Sequence, residues 1–455
     1  MIELSKQRFD CLAGYIRHPR ILTLIEEVGW IATDDERVLG LLTRDRIDDD
    51  FGWVALGRDE RMRYRAVEVR ASLTRRVAEA SLREALASLE YAPDEEFHQG
   101  DTEGPPVDFF RHAVAEDRLH PSFRLLSETQ RYTPARGAVA AMMHYHTDVD
   151  GNFVQQFQTT GFDARLWELY LFATMTELGY ARDETVQVPD FVLTSAFGSL
   201  AMEAVTCNPA HRTGVPMPRD VDAMLDYQRN YIPIKLGRAL GRKLRRNPPY
   251  WSAPEVADLP FMLAVQDFHA PGAMQHIVIA ATEYAFGIRH ERRNGELHIE
   301  AIVDHRYDGL IEPSGLFNQA NAENVSAILL NPQGTITKFN RMGYLAGFGD
   351  QSIRMIKSGI ARGERNRGDP RPRPFRLEVH APGYSESWVE GAVVLHNPRA
   401  RIPLNPALIP GAAHEFLLDG GRIMSLLPEF HPLFSGTEIL VDDAGTAPIE
   451  VEGHD

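Results

Sequence analysis

Three acids define the chemistry open to this chain. Glu168 lies in Leu166-Trp167-Glu168-Leu169-Tyr170-Leu171-Phe172, Asp190 follows Pro189, and Glu203 lies in Leu200-Ala201-Met202-Glu203-Ala204-Val205. The first segment has the apolar content of a buried helix. The other two read as short strands joined by a loop carrying Gly198. Two carboxylates on paired strands, with a third beneath them on a helix, form an oxygen-donor set suited to Mg²⁺ or Mn²⁺. Such a set leaves positions open for water and substrate. Phosphodiester hydrolysis needs both an activated water and stabilised phosphoryl charge, and a cation held in this way supplies them. Each acid also has a plainer reading. Glu168 can pair with Arg165, three residues earlier on the helix. Asp190 can be a turn aspartate, and Glu203 a solvent-facing strand residue.

The elements that would position these acids run from Phe162 to Phe286. Asp163 is a good N-cap for a helix to Leu178, with Phe162 and Trp167 as a hydrophobic staple. Pro189–Thr194 and Leu200–Thr206 are the strands. A long helical segment from Asp220 to Arg246 is expected to break at Pro233, which suits a first helical position but not an interior one. Pro260–Gln266 is a continuous apolar run, as in a strand covered on both faces, and Met274–Phe286 is another helix. Helix, strand, strand, helix, strand, helix predicts an α/β sheet. Before it, strands Asp50–Gly57 and Tyr64–Arg70 and a helix from Ser72 to Leu89 predict a separate α/β region. Beyond Gly287, strands are expected at Glu296–His305, Val325–Leu330 and Thr335–Phe339. The expected division is therefore 1–150, 151–290 and 291–455, the last a mixed α/β region.

The run FDARLWELYLFATMTELGY, then VPDFVL, then LAMEAVT, resembles the PD-(D/E)XK nuclease superfamily, in its divergent branch with a glutamate on the first helix. The resemblance covers residues 162 to 287. It implies a restriction-endonuclease-like mixed sheet flanked by helices, and metal-dependent cleavage of nucleic acid, DNA before RNA. Defence against foreign DNA, or DNA repair, follows from family habit. Asp190 would match the motif aspartate, Glu203 the second acid and Glu168 the helical glutamate, all three on Mg²⁺ or Mn²⁺. The motif lysine belongs two residues after Glu203, where this chain has Val205. In this superfamily the lysine can migrate to a neighbouring helix, and Lys235 is the candidate. Gln228 and Tyr231 resemble polar helix residues that some branches place near the metal.

The formal net charge of −16 over 455 residues excludes binding of nucleic acid by the whole surface. Local basic runs remain available. Arg229, Lys235, Arg238, Arg242, Lys243, Arg245 and Arg246 occur between Asp226 and Glu255 without an acid, and a second run extends from Arg354 to Arg376. Arg229, Arg238, Arg242, Lys243, Arg245 and Arg246 are therefore candidates for phosphate contact, although such runs also serve as solvated faces. A partner subunit or a homo-oligomer could complete the binding surface. No signal peptide or membrane-length apolar stretch is evident, and the two cysteines form no disulfide framework, so a cytoplasmic protein without a membrane partner is expected.

Two further readings compete with the nuclease. The same core can lack catalysis and bind nucleic acid or scaffold a complex, as Val205 suggests. Alternatively, His144 and His146, alternating onto one face of an extended segment with Asp148 and Asp150 nearby, could serve a zinc hydrolase. Asp148-Val149-Asp150-Gly151 also begins like a calcium loop, but position twelve is Thr159. His269, at the end of the Pro260 strand, could act on substrate or satisfy the core. The glycines at 343, 347 and 349 lack the lysine and spacing of a P-loop, and no Gly-x-Ser-x-Gly elbow occurs.

Overall fold

The computed structural model describes residues 1–101, 106–146, 151–209, 215–363 and 371–440. The architecture is mixed α/β. Its N-terminal unit is an antiparallel sheet of β1 (Ile2–Glu3), β2 (Ile25–Ala32), β3 (Val38–Asp45), β4 (Phe51–Arg58) and β5 (Tyr64–Leu73), in sequence order. Helix α1 (Arg75–Leu89) packs on β3 and β4 through Ala78, Leu82 and Leu86. The expected cap at Ser72 is displaced. Ser72 lies within β5 at φ +59°, and Thr74 occupies the N-cap position.

Helix α2 (Thr133–Met143) and then α3 (Phe162–Glu177) lead into β6 (Ala181–Arg182), β7 (Phe191–Ser195) and β8 (Gly198–Cys207). A crossover containing α4 (Ile232–Leu244) returns to β9 (Phe261–Asp267), followed by α5 (Ile277–Phe286). Two hairpins come next, β10 (Ile288–Arg293) with β11 (Glu296–Ala301), and β12 (Asp304–Tyr307) with β13 (Leu310–Pro313). The chain continues through β14 (Ala327–Leu330), α6 (Ile336–Leu345), β15 (Arg354–Gly363), β16 (Arg373–Glu378), β17 (Val393–His396), β18 (Ala413–Leu417), β19 (Ile423–Leu426) and β20 (Phe430–Leu440).

The main sheet has eight strands in the order β19-β18-β17-β14-β9-β8-β7-β6. β6, β7 and β8 form an antiparallel meander, whereas β8, β9 and β14 run parallel. Parallel neighbours require a crossover, and covered faces follow from it. Met202, Met262 and Leu329 face α3, packing with Leu166, Trp167 and Tyr170. Ala201, Val205, Leu263 and Val265 face α4, packing with Leu236, Leu240 and Leu244. Every residue of β9 is buried. The Trp167 indole N–H donates to the Ala264 carbonyl at 2.9 Å, pinning α3 to the sheet. Half of this sheet comes from residues beyond 290, so that expected boundary does not separate one sheet from another.

Several expected elements shift. Helix α3 starts at Phe162 with Gly161 at its N-cap, which places Asp163 in the first turn rather than at the cap. The helical segment after Asp220 does not break at Pro233. Val221–Asp226 passes through a π-turn, Tyr227–Tyr231, directly into α4, where the proline occupies the first turn. Thr335–Phe339 belongs to a helix, α6, because Phe339 and Met342 pack one helical turn apart in the core.

Helix α6 also accounts for the glycine-rich stretch. It crosses α2 so closely that a Cβ on Gly343 would lie 2.1 Å from the Pro134 carbonyl oxygen. On its other side α6 carries Lys338 and Arg341, which meet the fully buried Glu386. Lys357 of β15 donates to the same carboxylate at 3.2 Å, and the Tyr384 hydroxyl at 2.6 Å. This cluster ties α6 to the sheet of β16, β15 and β20. Gly343→Ala should force α2 and α6 apart and destabilise the protein by about 2–3 kcal/mol, the usual cost of overpacking. Gly383→Ala, with nothing within 4 Å of its Cβ position but φ +86°, should cost only about 1 kcal/mol. Urea unfolding of the two variants compares the costs.

Candidate active site

The three acids come from α3, from the residue before β7, and from the middle of β8. Pairing of β7 with β8 aligns Phe191 with Met202, so Asp190 and Glu203 stand opposite each other at the end of the hairpin. Backbone N–H groups tie each carboxylate to the opposite strand. The Asp190 N–H donates to Glu203 Oε2 at 3.2 Å, and the Ala204 N–H donates to Asp190 Oδ2 at 2.8 Å. Glu203 is 7% exposed. Its Oε1 accepts from Lys243 Nζ at 2.6 Å and from the Tyr250 hydroxyl at 2.8 Å. Glu168 joins from α3 with its Oε2 on Arg165 Nη1 at 2.6 Å. The alternative pairing of Glu168 with Arg165 is thus present, and Gln156 accepts from the same guanidinium.

The electrostatics connect the acids as one group. Burial, then the charges of Glu203 and Glu168, push the Asp190 carboxyl well above the usual carboxylate range. Burial also raises Glu168, against the pull of Arg165 and Arg182 and with a push from Glu203. Burial and the Glu203 charge drive the Tyr250 phenol upward, so it stays a donor. Carboxylates from a helix and two strands have the oxygen chemistry a hard divalent cation takes, and such a cation would relieve the repulsion on Asp190. The residues present therefore fit Mg²⁺ or Mn²⁺ by donor chemistry, with Lys243, Arg165 and Arg182 balancing the charge otherwise. Among the described residues, no group of three or more His, Cys, Asp or Glu side chains is already gathered at metal-binding distances.

Lys235 is not the lysine at these acids. Its ammonium donates to the Asn208 carbonyl at 2.7 Å, beyond the end of β8. Lys243, expected to contact phosphate, reaches Glu203 instead. Helix α4 runs back along β8, so moving eight residues along it, about 12 Å, goes from Asn208 to Glu203. Lys243 precedes Leu244 of the buried stripe, and that adjacency was the available sequence signal. Tyr250 left none. The other basic candidates separate. Arg229 lies 3.9 Å from Glu291, and Arg246 covers the Tyr250 ring at 4.7 Å from its centroid. Arg238, Arg242 and Arg245 line a pocket with Lys235.

His144 and His146 each keep a buried Nδ1 without a hydrogen-bond partner among the described residues. His144 sits at the C-cap of α2 rather than on an extended segment. His146 packs on Phe153 at 4.3 Å, and burial lowers its pKa to about 3. Asp148 and Asp150 lie outside the described residues. His269 is buried with Nδ1 on Asp267 Oδ1 at 2.7 Å and Nε2 on the Tyr227 hydroxyl at 2.6 Å. Tyr231 packs into the same aromatic group, tilted against Tyr227 and edge-on to His269. No helix among the described residues is long and apolar enough to cross a membrane.

No protein-family model matches the chain, and no curated protein or solved structure is detectably similar to it. The geometry therefore carries the functional argument.

The raised Asp190 carboxyl makes a signed prediction. Its contribution to stability is complete below the ordinary aspartate range and is lost as pH rises through the higher folded-state value. Asp190→Asn, neutral at every pH, should therefore melt about 2 °C above wild type at pH 8, with the gain vanishing near pH 4. Differential scanning calorimetry across that range checks it. A shift independent of pH would remove the charge explanation.

Proposed function

We propose that this protein is a Mg²⁺- or Mn²⁺-dependent nuclease, acting on DNA in preference to RNA, with a core of the PD-(D/E)XK type. One observation carries the reading: the Asp190 backbone N–H donates to the Glu203 carboxylate across adjacent strands while Lys243, on the crossover helix, donates to its other oxygen. In this reading Lys243 would take the place of the lysine absent at Val205. The order α3, meander β6–β8, crossover and parallel β9 supports the same core.

Asp190 and Glu203 would hold the cation, with Glu168 as the third acid. The cation would supply a Lewis acid for the phosphoryl oxygens and a water of lowered pKa. Lys243 would place positive charge where the phosphoryl group gains negative charge. Tyr250 fixes the Glu203 carboxylate, and Arg165 orients Glu168. The surrounding β7–β9 and α3 packing holds these groups on rigid elements, as catalysis by positioning requires.

A catalytically silent core that binds nucleic acid is the second reading. Glu203 favours it, since Lys243 and Tyr250 both donate to its Oε1 and so satisfy that oxygen.

The deciding experiment is cleavage of single- and double-stranded DNA and RNA with Mn²⁺, Mg²⁺ or EDTA. Metal-dependent cutting abolished by Asp190→Ala is expected. Lys243→Ala should lower kcat by about 100-fold, the scale of losing one charge-stabilising donor. Mn²⁺ should also raise the Tm of wild type by mass action, and not that of Asp190→Ala. Metal-independent stability together with no cutting would favour the silent core.

A further inference from the structure

The carboxyl end of β8 opens into a pocket of about 510 Å³, separate from the three acids. Thr206 and Asn208 form one wall, and Lys235, Arg238, Arg242 and Arg245 of the α4 segment form the other. The size falls within the roughly 300–1,000 Å³ of small-molecule sites. The location is also one where ligands bind in α/β sheets, beyond the carboxyl end of a parallel strand. β8 has a parallel neighbour in β9 and an antiparallel one in β7.

Four cations line this pocket and no carboxylate does. Among the described residues, none of the four forms an ion pair within salt-bridge distance. Lys235 is fixed by its bond to the Asn208 carbonyl, which orients its ammonium at the strand end. Arg242 Nε donates to the Arg238 carbonyl at 3.2 Å, which leaves its two terminal nitrogens for another acceptor. Arg245 folds back across the helix at Gly241, where a Cβ would meet its Nη1 at 2.9 Å. The Glu312 side chain stands against Gly237, and Arg238 and Arg245 pull its carboxyl down against a larger effect of burial. That carboxylate does not line the pocket.

Like charges gathered on one helix repel one another, at a cost that a bound multivalent anion would reverse. Arginine forks match the geometry of phosphate oxygens. We propose that this pocket is a phosphate-binding site, in which Arg238, Arg242 and Arg245 with Lys235 hold the phosphate of a nucleotide or of a polynucleotide backbone. Lys235 stands about 12 Å along α4 from Lys243, so the first lysine serves the pocket and the second reaches Glu203. The pocket does not depend on metal or on cleavage.

The test is binding in EDTA, where cutting does not interfere. Pyrophosphate, a nucleoside monophosphate and a short single-stranded oligonucleotide are titrated by calorimetry into wild type, into Arg238→Gln/Arg242→Gln and into the control Arg306→Gln. Saturable binding that weakens at least tenfold in the double variant and is unchanged in the control is expected. Tight binding of the monophosphate alone would identify a small phosphate ester as the ligand, and binding of the oligonucleotide alone a polymer phosphate. Equal affinity in the double variant, or no saturable binding of any probe, would overturn the site. Both arginines are exposed, so matching melting curves without ligand establish that the variant folds. Loss of binding here with retained Mn²⁺-dependent cutting, or the reverse, separates this site from the nuclease reading.

Discussion

The Glu203 carboxylate is the constraint around which the centre of the molecule is arranged. It sits in the middle of β8, between β7 and β9, flanked along its strand by the apolar Leu200, Ala201, Met202, Ala204 and Val205. An uncompensated carboxylate there would cost several kcal/mol. Its donors come from the start of β7, from the last turn of α4 and from the segment after it. One side chain thereby joins the meander, the crossover helix and the return to β9. Packing of Leu236, Leu240 and Leu244 chooses the face of α4 that meets the sheet, and the Lys243–Glu203 pair selects its register along β8.

The molecule contains a second buried charge group that behaves differently. At Glu386, burial alone would raise the carboxyl, but Arg341, Lys338 and Lys357 together hold it well below the usual carboxylate range. That cluster is electrostatically resolved and fastens α6 to the C-terminal sheet. Around Glu203 the compensation is uneven, for Asp190 keeps the repulsion of two neighbouring acids. Retained repulsion of this kind is what the proposed cation would relieve. This contrast, within one chain and one solvent, is the physical basis for reading one cluster as scaffold and the other as chemistry.

Local sequence carried much of the centre. The apolar run at Phe261–Val265 read as a covered strand, and Leu236, Leu240 and Leu244 as a helix with one buried stripe, and both formed. The three acids were legible because each stands in an apolar segment where a charge needs a reason. Less was legible where packing chose between equals. Ile336–Phe339 suits a strand or a helix, and the contact with α2 made it a helix. The meander and crossover left the main sheet open at β9, and nothing local announced that β14 and β17–β19 would extend it.

The lysine shows the division most clearly. The chain's own order determined that Glu203 lacks a lysine two residues on, that Asp190 opens a strand, and that a basic helix follows. Which basic residue would reach Glu203 was not a local property. Lys235 and Lys243 have the same chemistry on the same helix, and about 12 Å of helical rise separates them. Only the antiparallel run of α4 along β8 placed one beside a carboxylate and the other beside a carbonyl. Residue type and spacing determined what the groups can do; long-range packing decided which of them meet, because it is the sheet pairing and the buried leucine stripe, not the neighbouring sequence, that set those distances.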